Sequence, residues 1–171
     1  MIVIQELHQI DGELRLPQPS AAHDWDGEKW VLNAVRAGLL DQQEAERLCA
    51  RLDAAADNAR AALAGDPLKA LEYAQAAVDA QAFQDAGYPR GDVPLSVAAW
   101  VARGRSAKQA ADEILDKAAQ VSDGLLALRT LRLKAKTQIR AHAAKGKLDD
   151  ARRVVDDTLA AIRVQVGGSA G

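Results

Sequence analysis

The stretch SAKQAADEILDKAAQVSDGLLALRTLRLKAKTQIRAHAAKG, residues 106–146, decides the fold because it is the longest segment that can form one helix. Ser106 is a favourable N-cap, and Gln109 three residues later completes the spacing of a capping box. Gly146 can adopt the left-handed conformation that ends a helix. Such a helix would be about 60 Å long. Because this exceeds the width of a small globule, we expect other helices to pack along it.

An apolar seam follows this helix in alternating steps of three and four residues, while Asp116, Lys117, Arg129 and Lys136 lie off it. Because the seam is narrow and rich in alanine, neighbouring helices can approach closely. Glycine costs about 1 kcal/mol in a helix interior, so a break into two helices at Asp123-Gly124 is the alternative. The seam consists of Ala111, Ile114, Ala118, Val121, Leu125 and Leu128.

Composition favours a helical protein with thin, closely packed cores. The chain has 171 residues, of which 49% are hydrophobic but only 4% aromatic, and the formal net charge is −2. That charge gives no general attraction to nucleic acid or to an anionic membrane. Cys49 is the only cysteine, so no internal disulfide can form, and we expect a packed, reduced thiol. A helix that spans a membrane needs about 20 apolar residues in a row, and the sequence has no such run, so we expect no membrane span. The first residues do not resemble a signal peptide.

Two glycine turns predict a small β module in residues 1–38. Asp11-Gly12 lies between the apolar run at residues 2–7 and the alternating residues 13–16, which indicates a hairpin ended by prolines. A second Asp-Gly turn lies in WDGEKW, residues 25–30, between two of the three tryptophans. The sequence does not fix whether these two indoles share a face. They either form the core of the module or are presented to a partner protein.

Residues 39–90 predict a pair of helices joined at Gly65. Residues 33–38 are expected to connect the β module to the first helix, with Asp41 as its N-cap and an apolar seam of Ala45, Leu48, Leu52, Ala55, Ala59 and Ala62. Asp66 is expected to cap the second helix, with Pro67 in its first turn. We expect the two helices to form an antiparallel hairpin, with one bent helix as the alternative. The expected inward face of the second helix is Leu68, Leu71, Val78 and Ala82.

Residues 91–171 predict a short helix, the long helix and a final helix that folds back. The short helix is expected over residues 94–101, with Trp100 available for packing, and a turn at Gly104 follows. The final helix is expected over residues 148–166 and should form a second antiparallel pair with residues 125–143. Its apolar face is Ala151, Val155, Leu159, Ile162 and Val166. The expected fold is therefore mainly α, with alanine-rich helical hairpins in a coiled-coil-like bundle and a small N-terminal β-hairpin module.

The sequence lacks the motifs of common enzyme classes. His8, His23 and His142 lie far apart, and no cysteine or second histidine stands at metal-ligand spacing from any of them. Acidic pairs on alanine-rich helices are typical of solvated faces. We therefore expect a protein that binds rather than catalyses, with no cofactor and no metal.

The long helix carries a run of basic residues without an acid between Asp123 and Asp149. Such residues either complement the helix dipole or form a groove for an acidic protein. Arg129, Arg132, Lys136 and Arg140 are the candidate contacts. Nucleic acid is a further alternative, because residues 95–115 imitate a helix-turn-helix, although the acids of its second helix would repel phosphates.

The order of these motifs is similar to that of bacteriophage tail-region proteins. The prolines at 17 and 19, followed by WDGEKW, resemble the tail fibre assembly proteins, a family of chaperones. AFQDAGY at residues 82–88 and VPLSVAAW at residues 93–100 resemble a helical module of phage tail-region proteins. These motifs and the following residues 107–119 together cover about half of the chain.

The resemblance implies a chaperone that binds a trimeric tail fibre protein during folding or trimerisation. A structural tail component that stays in the virion is the alternative, and a DNA-binding protein is a third. The location implied is the cytoplasm of the host bacterium or the virion tail, with no membrane partner and with self-association open. Partner contacts are expected at Trp25, Asp26, Gly27, Trp30 and Trp100, and at the basic residues of the long helix.

Overall fold

The computed structural model describes residues 8–10, 12–101 and 104–167 of the chain. The fold is mainly helical with small antiparallel β hairpins at its N-terminal end, which confirms the predicted fold class. The elements in chain order are β1 His8–Ile10, β2 Glu13–Arg15, β3 His23–Trp25, β4 Trp30–Leu32, α1 Ala34–Ala64, α2 Pro67–Asp85, α3 Leu95–Ala98, α4 Ala107–Ala143 and α5 Leu148–Gly167.

The two hairpins lie one after the other. In the first, Ile10 pairs with Glu13, and Gly12 of the predicted turn has a φ of 85°. In the second, Trp25 pairs with Trp30. The apolar run at residues 2–7, which was predicted to form the first strand, lies outside the described residues, as does Asp11.

Helix α1 begins earlier than the sequence predicted. Asn33 is its N-cap and accepts a hydrogen bond from the Arg36 N–H at 3.0 Å. Residues 34–38 are therefore helical, and the expected connector and the expected cap at Asp41 are both wrong. The reason is that an asparagine side chain caps a helix as well as an aspartate does, and the early glycine at position 38 does not prevent helix formation.

The joint between α1 and α2 forms as predicted, but the two helices do not pair. Gly65 has a φ of 65°, and the Asp66 carboxylate accepts hydrogen bonds from the N–H groups of Leu68 and Lys69 at 2.9 and 3.1 Å. Both helices then pack against α4, α1 along its C-terminal half and α2 along its N-terminal half. The expected antiparallel hairpin of α1 and α2 is therefore wrong, because the two helices pack one after the other along different halves of α4.

Helix α4 is continuous and extends through Gly124. The predicted capping box is present, with the Gln109 N–H donating to Ser106 Oγ at 3.2 Å and Gln109 Oε1 accepting from the Ser106 N–H at 2.9 Å. The helix ends at Ala143, and Gly146 with a φ of 69° closes the turn into α5. Gly124 is buried, and Leu63 of α1 packs directly over it. The glycine therefore provides space for a close contact and does not break the helix.

In the described part of the chain, two hydrophobic cores lie along α4. Both contain many alanines, as expected for closely spaced helices. The predicted face of α5 is confirmed, because four of its five residues are buried and Val166 is partly buried. The main core lies between α1, α4 and α5 and consists of Ala45, Leu48, Cys49, Leu52, Ala56, Ala59, Leu128, Ala135, Ile139, Ala143, Ala151, Val155, Leu159 and Ile162. The second core lies between α2, α3 and α4 and consists of Ala76, Ala80, Phe83, Val97, Ala110, Ala111 and Ile114.

The α2 face predicted to be buried is exposed instead. The exposed fractions are 74% for Leu68, 70% for Leu71 and 63% for Val78. Helix α2 has apolar residues around most of its circumference, so its sequence pattern fits two different faces. The face that packs contains two alanines, which permit close approach to α4, and Phe83, which fills the second core.

The loop after α2 is fixed to α4 by a polar contact. The Tyr88 hydroxyl donates to the Asp112 carboxylate at 2.6 Å, and this hydrogen bond raises the pKa of Tyr88. Helix α3 is a single turn and shorter than predicted, and Trp100 follows it. The Ser96 hydroxyl donates to Asp79 of α2 at 2.7 Å, which holds α3 against α2.

Candidate functional site

The structure separates the predicted partner-binding residues into three places. The first group lies in the second hairpin, Trp100 lies between α3 and α4, and the basic group lies on the C-terminal half of α4. These three places do not form one continuous site among the described residues. The groups are Trp25, Asp26, Gly27 and Trp30 in the hairpin, and Arg129, Arg132, Lys136 and Arg140 on α4.

The two indoles of the second hairpin face each other. Trp25 and Trp30 are directly paired, with ring centroids 5.4 Å apart and an interplanar angle of 70°. The loop between them has four residues, which places both tryptophans on the same face of the hairpin. The Asp26 carboxylate accepts hydrogen bonds from the N–H groups of Glu28 and Lys29 at 2.9 and 2.8 Å, and these bonds lower the pKa of Asp26. Gly27, with a φ of 111°, allows the loop to close.

The two rings of the tryptophan pair contact each other within the N-terminal module, and both are half-buried. The indole N–H of Trp30 donates to the Leu16 carbonyl at 2.7 Å, and the Arg15 guanidinium lies 4.8 Å from the centre of the Trp25 ring. These contacts join the second hairpin to the end of the first. A T-shaped pair of this kind contributes about 1 kcal/mol beyond its buried area.

The tryptophan hairpin is attached to the start of α1. Asp24 forms an ion pair with Arg36 and accepts a hydrogen bond from the Asn33 amide at 2.8 Å. The Asn33 N–H donates to the Ala22 carbonyl at 2.7 Å. The hydrogen bonds from Asn33 and Arg36 lower the pKa of Asp24. The orientation of the indole pair is therefore set by the first turn of the helix.

Three of the four predicted basic residues are engaged by acids of α1. Arg132 and Lys136 contact the Asp53 carboxylate at 3.1 and 2.5 Å. Arg140 contacts Glu46 through two hydrogen bonds of 2.7 and 2.9 Å. These pairs align α1 antiparallel to α4, because lower residue numbers in one helix meet higher numbers in the other.

The pKa values of these acids follow from their partners. Partial burial opposes ionisation of Asp53, but the hydrogen bonds from Lys136 and Arg132 outweigh it, and the pKa of Asp53 is lowered. The hydrogen bond from Arg140 likewise lowers the pKa of Glu46. Arg129, in contrast, is exposed. Sequence reasoning identified the basic run but could not identify these acids, because they lie on another helix.

Trp100 contributes to the second core and to a groove beside it. The ring is half-buried, and the Lys117 ammonium lies 4.6 Å from its centre. The groove, with a volume of about 670 Å³, lies between the N-terminal half of α2 and the middle of α4. Its mainly apolar lining comprises Leu63, Ala64, Ala70, Tyr73, Ala74, Ala76, Trp100, Ile114, Lys117, Ala118, Gln120, Val121, Ser122 and Leu125.

Helix α2 contributes residues to the groove and also carries exposed apolar residues outside it. Ala70 and Ala74 line the groove, while Leu68, Leu71 and Val78 project from other parts of the same helix and are mostly exposed. We call Leu68, Leu71 and Val78 the outer face of α2. Exposed apolar side chains that share one helix face are typical of protein-protein contact sites. One feature of the sequence indicated the outer face: α2 contains more apolar residues than a single neighbouring helix can cover.

The remaining findings concern metals, membranes and known proteins. Within the described residues, no group of three or more histidine, cysteine or acidic side chains is placed to hold a metal ion. In the same part of the chain, no helix is long and apolar enough to cross a membrane. No protein-family model, curated protein or solved structure matches this chain.

Proposed function

We propose that this protein binds another polypeptide during its assembly, in the manner of a tail fibre assembly chaperone. The observation that carries this proposal is the outer face of α2 beside the apolar groove. The leucine and valine side chains of this face are 63–74% exposed, and covering them with a partner removes apolar surface from water, which lowers the free energy. A folded helix that keeps such a face uncovered is suited to contact another chain.

The proposal of a fibre partner rests on the resemblance of the WDGEKW and AFQDAGY segments to phage tail-region proteins. Its physical logic is general: fibre chains expose apolar segments before the trimer closes, and such segments aggregate unless another surface covers them. The exposed face of α2 provides apolar surface for that purpose. The N-terminal half of the long helix α4 packs against α2 and holds this face in place.

The direct test is co-expression with a tail fibre protein, the partner that this proposal requires. We expect more soluble, trimeric fibre when the two proteins are produced together, and a complex that survives size-exclusion chromatography. A fibre that becomes soluble and trimeric without this protein, with no complex detected, would refute the proposal.

Leu71→Glu is the variant that tests the outer face. It should weaken the complex at least tenfold, because a carboxylate in an apolar contact must be desolvated without a partner. Leu126→Glu is a matched control, since Leu126 is also an exposed leucine, at 62%, but lies on α4 outside both the groove lining and the outer face. Equal effects of the two variants would contradict a specific role for α2.

The tryptophan hairpin needs its own test, because its two indoles can be anchors or only core. Replacing Trp25 and Trp30 with alanine weakens the complex by about 2 kcal/mol or more if they are interface anchors. If they serve only the module, the double variant has a lower melting temperature and keeps its affinity for the fibre. The second result would restrict the proposed contact to the helical part of the protein.

A further inference from the structure

The groove between α2 and α4 is long enough to bind an α-helix of about three turns. Along α4 its lining extends from Ile114 to Leu125, which corresponds to about 16 Å or three helical turns. Ala70, Ala74 and Ala118 lie along it, and their small side chains allow another backbone to approach closely. A helix of a partner could therefore lie against both walls at normal interhelical distance.

The arrangement of the neighbouring helices also leaves this part of α4 less covered. Along its C-terminal half, α4 packs with both α1 and α5. Helix α5 has 20 residues, so it extends back along α4 to about Gly124. Beyond that point, within the described residues, α4 packs with α2 and with the single turn of α3. The groove lies where the three-helix packing ends.

The charge of the groove indicates which residues the incoming helix should carry. Among the described residues that line the groove, Lys117 is the only charged one. Its ammonium lies over the Trp100 ring, and the side chain as a whole is exposed. An acidic residue at the edge of an apolar helix could pair with this ammonium, whereas a basic residue would be repelled.

We infer that the groove binds an amphipathic α-helix of the partner chain, with small and apolar residues facing Ala74 and Ala118 and a carboxylate beside Lys117. This inference rests on the proposed polypeptide-binding function and specifies the structure and charge of the bound segment. The outer face of α2 extends the contact beyond the groove. A groove with an exposed apolar face on one of its own helices suits a length of polypeptide better than a small molecule.

The test uses a fluorescein-labelled helical peptide of about 18 residues, a length that allows stable helix formation. One face carries leucine and alanine in steps of three and four, and glutamates flank that face. A second peptide has lysine at the glutamate positions. Binding to the full-length protein is measured by fluorescence anisotropy, and the melting temperature of each protein variant is measured by circular dichroism.

The expected result is binding of the glutamate peptide, weakened at least fivefold by Lys117→Glu and at least tenfold by Ala74→Arg. The same substitutions at exposed positions outside the groove, Lys134→Glu on α4 and Ala160→Arg on α5, should change the affinity less than twofold. Lys117→Glu should also improve binding of the lysine peptide. If Ala74→Arg lowers the melting temperature, the charge exchange at Lys117 still decides the question.

Several outcomes would overturn the inference. No binding at millimolar peptide, or binding that Lys117→Glu and Ala74→Arg leave unchanged, would exclude the groove as a helix site. Self-association that Ala74→Arg abolishes, without peptide binding, would show that a second copy occupies the groove. A fibre complex that forms normally with both variants would contradict this inference alone, whereas peptide binding without a fibre complex would contradict only the proposed fibre function.

Discussion

Replacing Gly124 with alanine is expected to stabilise the protein, although the glycine is buried between two helices. Gly124 lies in the middle of the continuous helix α4. Alanine is about 1 kcal/mol more favourable than glycine in a helix interior, because it loses less backbone entropy on folding. The benefit is reduced by whatever the new methyl group displaces.

The displaced group is the side chain of Leu63. A Cβ atom at position 124 would lie 3.3 Å from Leu63 Cδ1. Carbon atoms prefer about 3.5–4.0 Å, so the leucine methyl must move by a few tenths of an ångström. Leu63 is half-buried and also lines the groove, so its methyl can move toward open space. A small rotation of this kind costs about 0.5 kcal/mol, which leaves a net stabilisation of about 0.5 kcal/mol.

Urea unfolding followed by circular dichroism measures this difference, and Gly38→Ala is the matched control. Gly38 lies in α1, and an added Cβ there would meet no atom within 4 Å, so its gain should be the full value of about 1 kcal/mol. In a Leu63→Ala background, Gly124→Ala should gain as much as Gly38→Ala. A loss of more than about 1 kcal/mol in either background would refute the reasoning, because it would mean that α4 cannot accept a side chain at this position.

Three further predictions concern the pairs and cores of the helical part. Asp53→Asn should lower the free energy of unfolding at pH 7 by about 1–2 kcal/mol, because two half-buried basic side chains of α4 lose their carboxylate. The pKa of Asp53 is lowered in the folded state, so its carboxylate stabilises the fold above the unfolded pKa of about 4. This contribution is lost as the pH falls through the lower folded pKa. The difference in free energy of unfolding between the wild type and Asp53→Asn should therefore be smaller at pH 3 than at pH 7. Leu52→Ala should cost about 3 kcal/mol because Leu52 is fully buried, whereas Leu71→Ala should change stability by less than about 0.5 kcal/mol, as urea unfolding can show. Cys49 is buried and its pKa is raised by that burial, so a disulfide reagent should modify it slowly in the native protein and rapidly in urea.

The parts of the fold that local chemistry controls were predictable from the sequence. The capping box at Ser106 and the Asp66-Pro67 helix start each depend on residues at most three positions apart. The start of α1 was missed because Asn33 and Gly38 are also common in connectors, and only the capping geometry decides between the two. Local patterns therefore predicted most helix ends, but they did not predict which helices pack together.

The partners of the helices depend on the whole arrangement, and the site depends on them. The α2 sequence fits two apolar faces, and only the position of α4 determines that Phe83 is buried while Leu71 is exposed. The basic residues of α4 could be identified, but their pairing with Asp53 and Glu46 required the antiparallel alignment of α1. The groove could not be predicted because it lies where helices fail to meet.

The division of the interior into two cores along a single helix has a consequence for local opening. The second core is the smaller one, and four of its seven buried residues are alanines. Its backbone amides should therefore exchange with deuterium through partial opening while those around Leu52 and Ile139 require global unfolding. Helix α4 would then be more stable against local opening in its C-terminal half than in its N-terminal half. The groove lies beside the less stable part.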